Sequence, residues 1–322
     1  MRFPRPHVLA TAALAALLSC GSALAAFPEK SITIVVPTAA GGANDAMARV
    51  IGQAMSAILK QPVIVDNKAG ANGAIASEFV MRAPADGHTL MLGYIATHAM
   101  NPSLQKLRYD PVKDFEPVGM VGSSATLMVV SPSVKANNAK ELVALLKATP
   151  DKFSYASAGN GTAPHFAAEM FKLATGTSML HVPYKGSAPA VNDTIGGQTQ
   201  VMFPSLFTAM PYVKSGKLKA IGVAGEKRSA LMPDVPTLKE QGINMEADAF
   251  FGLYGPAGMP ADVVGRIDRA VADALKDPAI QEKIYNFGLV PNHAPAAELA
   301  ATQAAHLKRW EAPIKASGFK AE

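Results

Sequence analysis

The sequence predicts an α/β fold of two lobes, each a mostly parallel sheet flanked by helices. Short apolar segments alternate with segments of helical periodicity, which is the pattern of strands and covering helices. The strands and helices fall into two series along the chain. Two apolar segments, 119–130 and 247–258, lie at the two ends of the second series, and their apolar character favours paired hinge strands over a loose linker. Residues 27–121 and 251–322 are therefore predicted to form the first lobe, and residues 122–250 the second.

Each predicted element follows from the local pattern of apolar residues. The first series gives strands at 31–37, 62–67 and 88–94, with helices at about 45–59 and 71–83 between them. The second series gives helices at about 138–148, 164–175 and 207–216 and strands at 152–157, 200–204 and 218–225. The C-terminal part gives three helices, at about 261–275, 278–286 and 296–316.

The first 26 residues have the features of a cleaved signal peptide. Arg2 and Arg5 flank the start of an apolar stretch, VLATAALAALLSC, and ALAA at 23–26 supplies the small residues of a cleavage site. The apolar stretch is shorter than the roughly 20 residues that a membrane-spanning helix needs. We therefore expect residues 1–26 to be removed and the protein to be periplasmic.

The only cysteine, Cys20, lies in this N-terminal segment. The sequence LLSC partly resembles a lipoprotein box, so a lipid anchor at Cys20 stays open as an alternative. Cleavage beyond Cys20 leaves a mature chain without a thiol, which excludes disulfides, thiolate zinc sites and cysteine nucleophiles.

The charge balance argues against nucleic acid as a partner. The chain has 30 Lys and Arg against 25 Asp and Glu, a net charge of +5, and contains no run rich in Lys or Arg. Without Arg2 and Arg5 the net charge is about +3. Such a mild charge makes binding to nucleic acid or to a membrane surface unexpected.

Two glycine-bearing turns, one in each lobe, are the main candidates for a ligand site. The first turn (38–45) and the second turn (157–162) each follow a predicted strand, open a helix and contain no Lys or Arg. A helix N-terminus presents about four unpaired N–H groups and roughly half a positive charge, and glycine lets a ligand approach them. Ligands bind beyond the carboxyl ends of parallel strands, where both turns are expected. The candidate residues are Gly41, Gly42, Ala43, Asn44 and Asp45 in the first turn and Ser157, Gly159, Asn160, Gly161 and Thr162 in the second.

Backbone N–H groups suit a carboxylate better than a multiply charged phosphate. A carboxylate accepts up to about four hydrogen bonds. Each charge-assisted bond contributes roughly 1.5–3 kcal/mol, and micromolar affinity needs only about 8 kcal/mol. The two turns are therefore predicted to face each other across a cleft and to grip one small carboxylate without a cation.

Structural roles remain open for several of these residues. Asp45 can act as a helix cap or as an i,i+4 partner of Arg49. Asn44 and Thr162 can likewise be caps. The presence of such a turn in both lobes is what favours the ligand-binding interpretation.

An enzymatic function finds little support among the motifs. The segment YASAG resembles a nucleophile elbow, but Tyr155 replaces its first glycine. Phosphate-loop and dinucleotide-binding fingerprints are absent from the sequence, and His98, His165 and His181 lack metal-ligand spacing. We therefore predict no catalytic residues, metal or cofactor, and keep a secreted serine hydrolase using Ser157 as the alternative.

Several blocks of the chain resemble the signatures of one family. They are ITIVVPTAAGGANDAMAR, HAMNPSLQKLRYDPVKDFEPV, SAGNGTAPHFAAE, HVPYKGSAPAVNDTIGGQTQVMF and MPDVPTLKEQG, in this order between about Phe27 and the C-terminus. The sequence is thereby similar to the Bug family, the extracytoplasmic solute receptors of tripartite tricarboxylate transporters. The resemblance implies a type II-like periplasmic binding protein, a Venus flytrap whose two lobes close on a ligand.

The resemblance also implies ligands and partners. Members of the family bind dicarboxylates, citrate-like acids, acidic amino acids or aromatic carboxylates, and hold the ligand carboxylate with the two turns, often through ordered water. The implied partner is the membrane part of a transporter, with sensing for signalling as the alternative. The receptor itself is expected to be a monomer without a cofactor.

Departures from the family pattern bear on the rest of the ligand. Thr38 stands where the family often has an aromatic residue, which indicates a more open first turn. Pro204 and Ser205 stand where many members have Asp, and an Asp would suit a ligand ammonium group. We therefore expect a plain organic acid rather than an amino acid, with its distal part contacted by Thr97, His98, Pro204 and Ser205.

Overall fold

The computed structural model describes residues 27–319. The predicted signal peptide and Cys20 lie outside the described residues. Within residues 27–319 there is no helix with the length and apolar character needed to cross a membrane.

The elements alternate as the sequence indicates, and their bounds are as follows. The N-terminal part contains β1 (Ile32–Val36), α1 (Ala43–Leu59), β2 (Val63–Asn67), a 3-10 turn (Ala71–Gly73), α2 (Ala74–Met81), β3 (Thr89–Tyr94), a π-helical turn (Ala96–Met100), α3 (Asn101–Leu104) and β4 (Phe115–Ser124). The middle part contains β5 (Leu127–Val130), α4 (Ala139–Ala148), β6 (Ser154–Ser157), α5 (Ala163–Thr175), β7 (Leu180–Pro183), α6 (Ser187–Ile195), β8 (Val201–Met202), α7 (Leu206–Lys214) and β9 (Lys219–Val223). The C-terminal part contains β10 (Ala249–Pro256), α8 (Ala261–Lys276), α9 (Pro278–Asn286), β11 (Val290–Pro295) and α10 (Ala296–Ala316).

The strands form two sheets, of six and five strands. The order is β11-β4-β10-β3-β1-β2 in the first sheet and β7-β6-β8-β5-β9 in the second. β1 runs parallel to β2 and β3, and β6 runs parallel to β7 and β8. The strands next to the crossings, β4, β10, β5 and β9, pair antiparallel. The sheets are therefore mixed rather than mostly parallel, because the chain crosses between them on antiparallel strands.

The chain crosses between the sheets twice, after β4 and before β10. The crossing segments are tied together, since the Ala224 N–H donates to the Thr126 carbonyl and the Ala247 N–H to the Ala224 carbonyl, both at 2.8 Å. The Thr126 hydroxyl also donates to the Ala247 carbonyl. The proposed lobe boundaries, at 121/122 and 250/251, fall inside β4 and β10, a few residues from where the sheets change.

Apolar packing fixes the start of α1 at the carboxyl end of β1. Ile32, Ile34 and Val36 of β1 are fully buried in the same cluster as Met47 and Ile51 of α1. The two α1 residues are four apart and therefore lie on one face of the helix. Each buried side chain of this size contributes roughly 1.5–3 kcal/mol, so the first turn is anchored from both sides.

The second lobe repeats this arrangement with larger side chains. Tyr155 of β6 is fully buried in one cluster with Phe166 and Phe171 of α5, and Phe171 packs on Phe203 with ring centroids 5.6 Å apart. The second turn is thereby held between β6 and α5 as the first is held between β1 and α1.

Candidate functional site

The first turn is closed by its own aspartate. Asp45 is only 4% exposed, and its carboxylate accepts the Gly41 N–H at 2.9 Å and the Arg49 Nε–H at 3.0 Å. Burial raises the pKa of Asp45, but the hydrogen bonds from Arg49 and Gly41 outweigh this effect and hold the pKa below its ordinary value. Gly41 has a φ of +84°, which favours glycine in this turn. Asp45 therefore braces the turn, and its role as a ligand contact stays a prediction.

The second turn is closed in the same way by a histidine. The Gly161 N–H donates to Nδ1 of His165 at 3.2 Å, and the Thr162 hydroxyl donates to the Gly159 carbonyl at 2.7 Å. The Ser157 side chain is fully buried, and its hydroxyl lies 2.7 Å from Nε2 of His181. The Ser157 hydroxyl therefore supports the turn, and its role as a ligand contact also stays a prediction.

The two turns are built alike. In each, the third residue of the helix accepts the N–H of the glycine four positions earlier: Asp45 from Gly41 and His165 from Gly161. The N-cap residues of α1 and α5 make no side-chain cap hydrogen bond. The first amides of both helices are therefore left for water or an anionic ligand.

A cavity of about 540 Å³, which we call the first cavity, lies between the first turn and the second lobe. Its walls come from the first turn, from the first half of α6 and from positions along α7. The lining residues include no charged side chain: they are Gly41, Gly42, Ala43, Ser187, Ala188, Val191, Ser205, Phe207, Thr208, Pro211 and Tyr212. The N-cap residue of α6, Gly186, makes no side-chain cap bond, so amides of a second helix also start at this cavity.

The second turn lines a different space, the second cavity, of about 320 Å³. Asn160, Gly161 and Thr162 face the first lobe there, and Phe319 closes one side. The remaining walls are Ala71, Asn72, Asn101, Leu104 and Gln105. The expectation that both turns face each other in one cavity is therefore not met in this structure.

Seven predicted site residues line the two cavities, and the other eight do not. Gly41, Gly42, Ala43 and Ser205 belong to the first cavity, and Asn160, Gly161 and Thr162 to the second. The residues that line neither cavity are Thr38, Asn44, Asp45, Thr97, His98, Ser157, Gly159 and Pro204.

His98, predicted to contact the distal part of a ligand, is packed in the core of this structure. Its ring has no solvent-exposed surface, stacks on Tyr254 at 3.8 Å and meets the edge of Phe115 at 5.0 Å. Nδ1 lies 2.9 Å from the Thr97 hydroxyl, which is itself fully buried. Burial lowers the pKa of His98 to about 3, so the ring is neutral at physiological pH. His98 and Thr97 are thus buried in this structure, and their contact with the distal end of a ligand stays a prediction.

Three other predicted residues support the walls through their backbone or their packing. The Thr38 carbonyl accepts from the Asn67 amide at 3.1 Å, and the Pro204 carbonyl accepts from the Leu127 N–H at 2.9 Å. Asn44 is only 4% exposed. Thr38 and Pro204 therefore hold neighbouring segments through their carbonyls, and ligand contacts by Thr38, Pro204 and Asn44 stay predictions.

The first cavity is also lined by residues that were not predicted from the sequence, at the start of α6 and along α7. The α6 start is signalled by KGSAP, in which Gly186 precedes Ser187 and Pro189 lies in the first turn. Phe207 and Tyr212 fall in a helix that the sequence predicts. The sequence alone does not show that these two side chains line the first cavity. Within residues 27–319 no cluster of three or more His, Cys, Asp or Glu is arranged to hold a metal ion.

A sequence model described as the tripartite tricarboxylate transporter family receptor matches residues 47–319. The chain belongs to this family. Its members are periplasmic solute-binding receptors, and the resemblance to the Bug family is confirmed. The solved structure of the periplasmic binding protein BugD is 35% identical and has a TM-score of 0.78, covering 92% of this chain and 100% of that one. The two-lobed α/β fold is thereby confirmed for this receptor.

Two further solved structures contain small organic acids. R. palustris Rpa4515 with adipate is 29% identical with a TM-score of 0.82, covering 91% of this chain and 99% of that one. MatC (Rpa3494) from Rhodopseudomonas palustris with bound malate is 31% identical with a TM-score of 0.78, covering 89% and 100%. Relatives of this receptor thus bind dicarboxylic acids.

Proposed function

We propose that this receptor captures a small organic acid in the first cavity and delivers it to the membrane subunits of a tripartite transporter. The supporting observation is the convergence of uncapped helix starts, those of α1 and α6, on a cavity of about 540 Å³ with no charged lining side chain. A space of this size is typical of sites for small molecules. The free amides supply the positive end of the interaction, which favours a carboxylate.

The lining supports a plain acid over an amino acid. An ammonium group would need a carboxylate partner, and Asp45, the carboxylate of the first turn, is engaged by Arg49 and Gly41. Ala43, Val191 and Phe207 offer apolar contacts to a carbon skeleton, while Ser205 and Tyr212 offer hydroxyls. We infer a dicarboxylate, a tricarboxylate or an aromatic acid, in line with the adipate and malate of the two relatives.

Closure of the lobes completes the proposed site. The second turn has its own uncapped helix start but lines a separate cavity here. Bending at the two crossings between the sheets would bring the second turn towards the first, as in hinge closure around a ligand. We also propose that the receptor is exported through a cleaved signal peptide and acts as a monomer. The alternative to uptake is that the ligand-bound receptor serves in sensing.

A thermal-shift screen of carboxylates tests this function. We expect a hit confined to one class of acid among C4 to C6 dicarboxylates, citrate, acidic amino acids and benzoate-type acids. A ligand present at about 100 times its Kd stabilises the folded state by about 2.7 kcal/mol, which raises Tm by several degrees. The matched control is the diamide of each dicarboxylate hit, which keeps the shape and lacks the charge. Equal shifts with acid and amide, or no shift with any acid, would reject the anion site.

One observation favours a second candidate, a serine hydrolase. His181 lies within hydrogen-bond reach of the Ser157 hydroxyl, at 2.7 Å, a pairing that the sequence did not reveal. Against this, Ser157 is fully buried, and its hydroxyl also contacts the Gly159 backbone at 3.1 Å.

Substitution of Ser157 by alanine separates the two candidates. For a receptor, Ser157→Ala should weaken carboxylate binding by less than about tenfold, since one supporting hydrogen bond contributes about 0.5–1.5 kcal/mol. Hydrolysis of p-nitrophenyl esters is expected to be equally negligible in both forms. Esterase activity in the original protein that disappears in Ser157→Ala would favour the hydrolase.

A further inference from the structure

Two histidines form a stacked pair under the second turn. The rings of His165 and His181 have centroids 4.1 Å apart and lie 5° from parallel, and the Tyr155 ring also stacks on His181, at 4.7 Å. Each histidine reaches a different part of the turn: His165 accepts the Gly161 N–H, and His181 lies beside the Ser157 hydroxyl. The pair therefore holds the turn at both ends.

The bond from Gly161 requires a neutral ring. Nδ1 of His165 can accept a hydrogen bond only while it carries a lone pair, so the proton of the neutral ring must be on Nε2. Protonation turns this acceptor into a donor, which leaves two N–H groups facing each other at Gly161. A second proton on His181 would place like charges 4.1 Å apart.

The surroundings keep both rings neutral near pH 7. Phe319 covers His165 edge-on at 5.7 Å, and the nearest charged groups are Glu169 and Lys172, which pair with each other at 2.8 Å. The Tyr155 hydroxyl donates to the same Glu169 carboxylate at 2.6 Å. Burial lowers the pKa of His165, and burial followed by the neighbouring His165 lowers the pKa of His181 to about 4.

We propose that His165 and His181 are positioning residues of the second turn, which keeps its present shape only while both rings are neutral. The first turn has the same architecture but uses an already ionised acceptor, Asp45, and therefore does not respond in this pH range. The proposal deepens the proposed function, because it makes one of the two proposed anion-binding turns sensitive to acid.

The direction of the effect follows from proton linkage. The pKa of both rings lies below the ordinary value of 6.5 in the folded protein, so the unfolded chain binds protons first as the pH falls. The stabilising effect of the neutral pair is complete above pH 6.5 and is lost as the pH falls from there towards about 4. Acid is therefore expected to release the second turn before the first.

Nuclear magnetic resonance of the purified protein, labelled with ¹⁵N in glycine and histidine, tests the proposal without a ligand. Between pH 8 and pH 4.5 the Gly161 amide signal should shift with the midpoint of the His165 ring, whereas the Gly41 amide signal should stay in place. At pH 8 the His165 ring nitrogens should show the proton on Nε2. A Gly161 signal that ignores the ring titration, a Gly41 signal that moves with it, or the opposite tautomer would overturn the proposal.

The His165→Asn variant provides the matched control. An amide oxygen at this position can still accept the Gly161 N–H but does not titrate, so the shift of Gly161 with pH should disappear. Persistence of the shift in a folded variant would assign it to another group and reject the role of His165. Because no step uses a ligand, a failure here is distinct from a failure of the carboxylate screen.

Discussion

Gly42→Ala is expected to weaken carboxylate binding by at least about tenfold while leaving the receptor folded. Gly42 is the N-cap of α1 and lines the first cavity, so a methyl group there would keep a ligand away from the first helix amides. The loss of one charge-assisted hydrogen bond, roughly 1.5–3 kcal/mol, corresponds to a factor of ten or more. Isothermal titration calorimetry with the acid found in the screen measures this change.

The fold itself has room for this substitution. The backbone at Gly42 has a φ of −86°, and an added Cβ would meet nothing closer than the Ala39 carbonyl at 3.7 Å. Gly196→Ala is the matched control, because its φ is −71°, its nearest neighbour would be the Asn192 carbonyl at 3.5 Å, and it lines neither cavity. Equal affinities of Gly42→Ala and Gly196→Ala would show that the ligand does not approach the start of α1.

Trp310→Ala is expected to lower the free energy of unfolding by about 3–5 kcal/mol. The Trp310 side chain is fully buried on α10, in the same cluster as Phe166 of α5, so its removal leaves a cavity that the neighbouring elements cannot fill. Urea unfolding followed by circular dichroism measures the loss, since the only tryptophan is removed. Leu180→Ala, at a side chain 66% exposed, should change stability by less than about 0.5 kcal/mol. A Trp310→Ala loss no larger than that of Leu180→Ala would contradict the packing assigned to α10.

The layout of the fold could be predicted because it rests on local patterns. α1, α5, α8, α9 and α10 lie within two residues of their predicted bounds, as apolar residues repeat along one face of each helix. β7, α6, β11 and the π-helical turn after β3 were missed. β7 and β11 lie at sheet edges and have partly exposed side chains, so their sequences carry a weak apolar signal.

The two glycine-bearing turns of the candidate site could be located from the sequence, whereas the directions of the side chains around them could not. Glycines and helix starts mark the two turns in the sequence, and both turns do line cavities. The direction of a polar side chain depends on partners far away along the chain, as His98 shows by stacking on Tyr254 of β10. For the same reason the pairing of His165 with His181, on different elements, was not visible in the spacing of the residues.

The crossing between the sheets has a consequence for how this receptor is recognised. Three chain segments, at Thr126, Ala224 and Ala247, are cross-linked by backbone and side-chain hydrogen bonds. Segments joined in this way can bend together but resist sliding past one another. The two lobes would therefore return to the same relative position each time they close. A membrane partner that contacts both lobes at once would then bind one reproducible surface when a ligand is bound. The surface formed by the two lobes would differ when no ligand is bound. The partner would thus distinguish the ligand-bound receptor from the ligand-free receptor by the relative position of the lobes, and not by contact with the ligand.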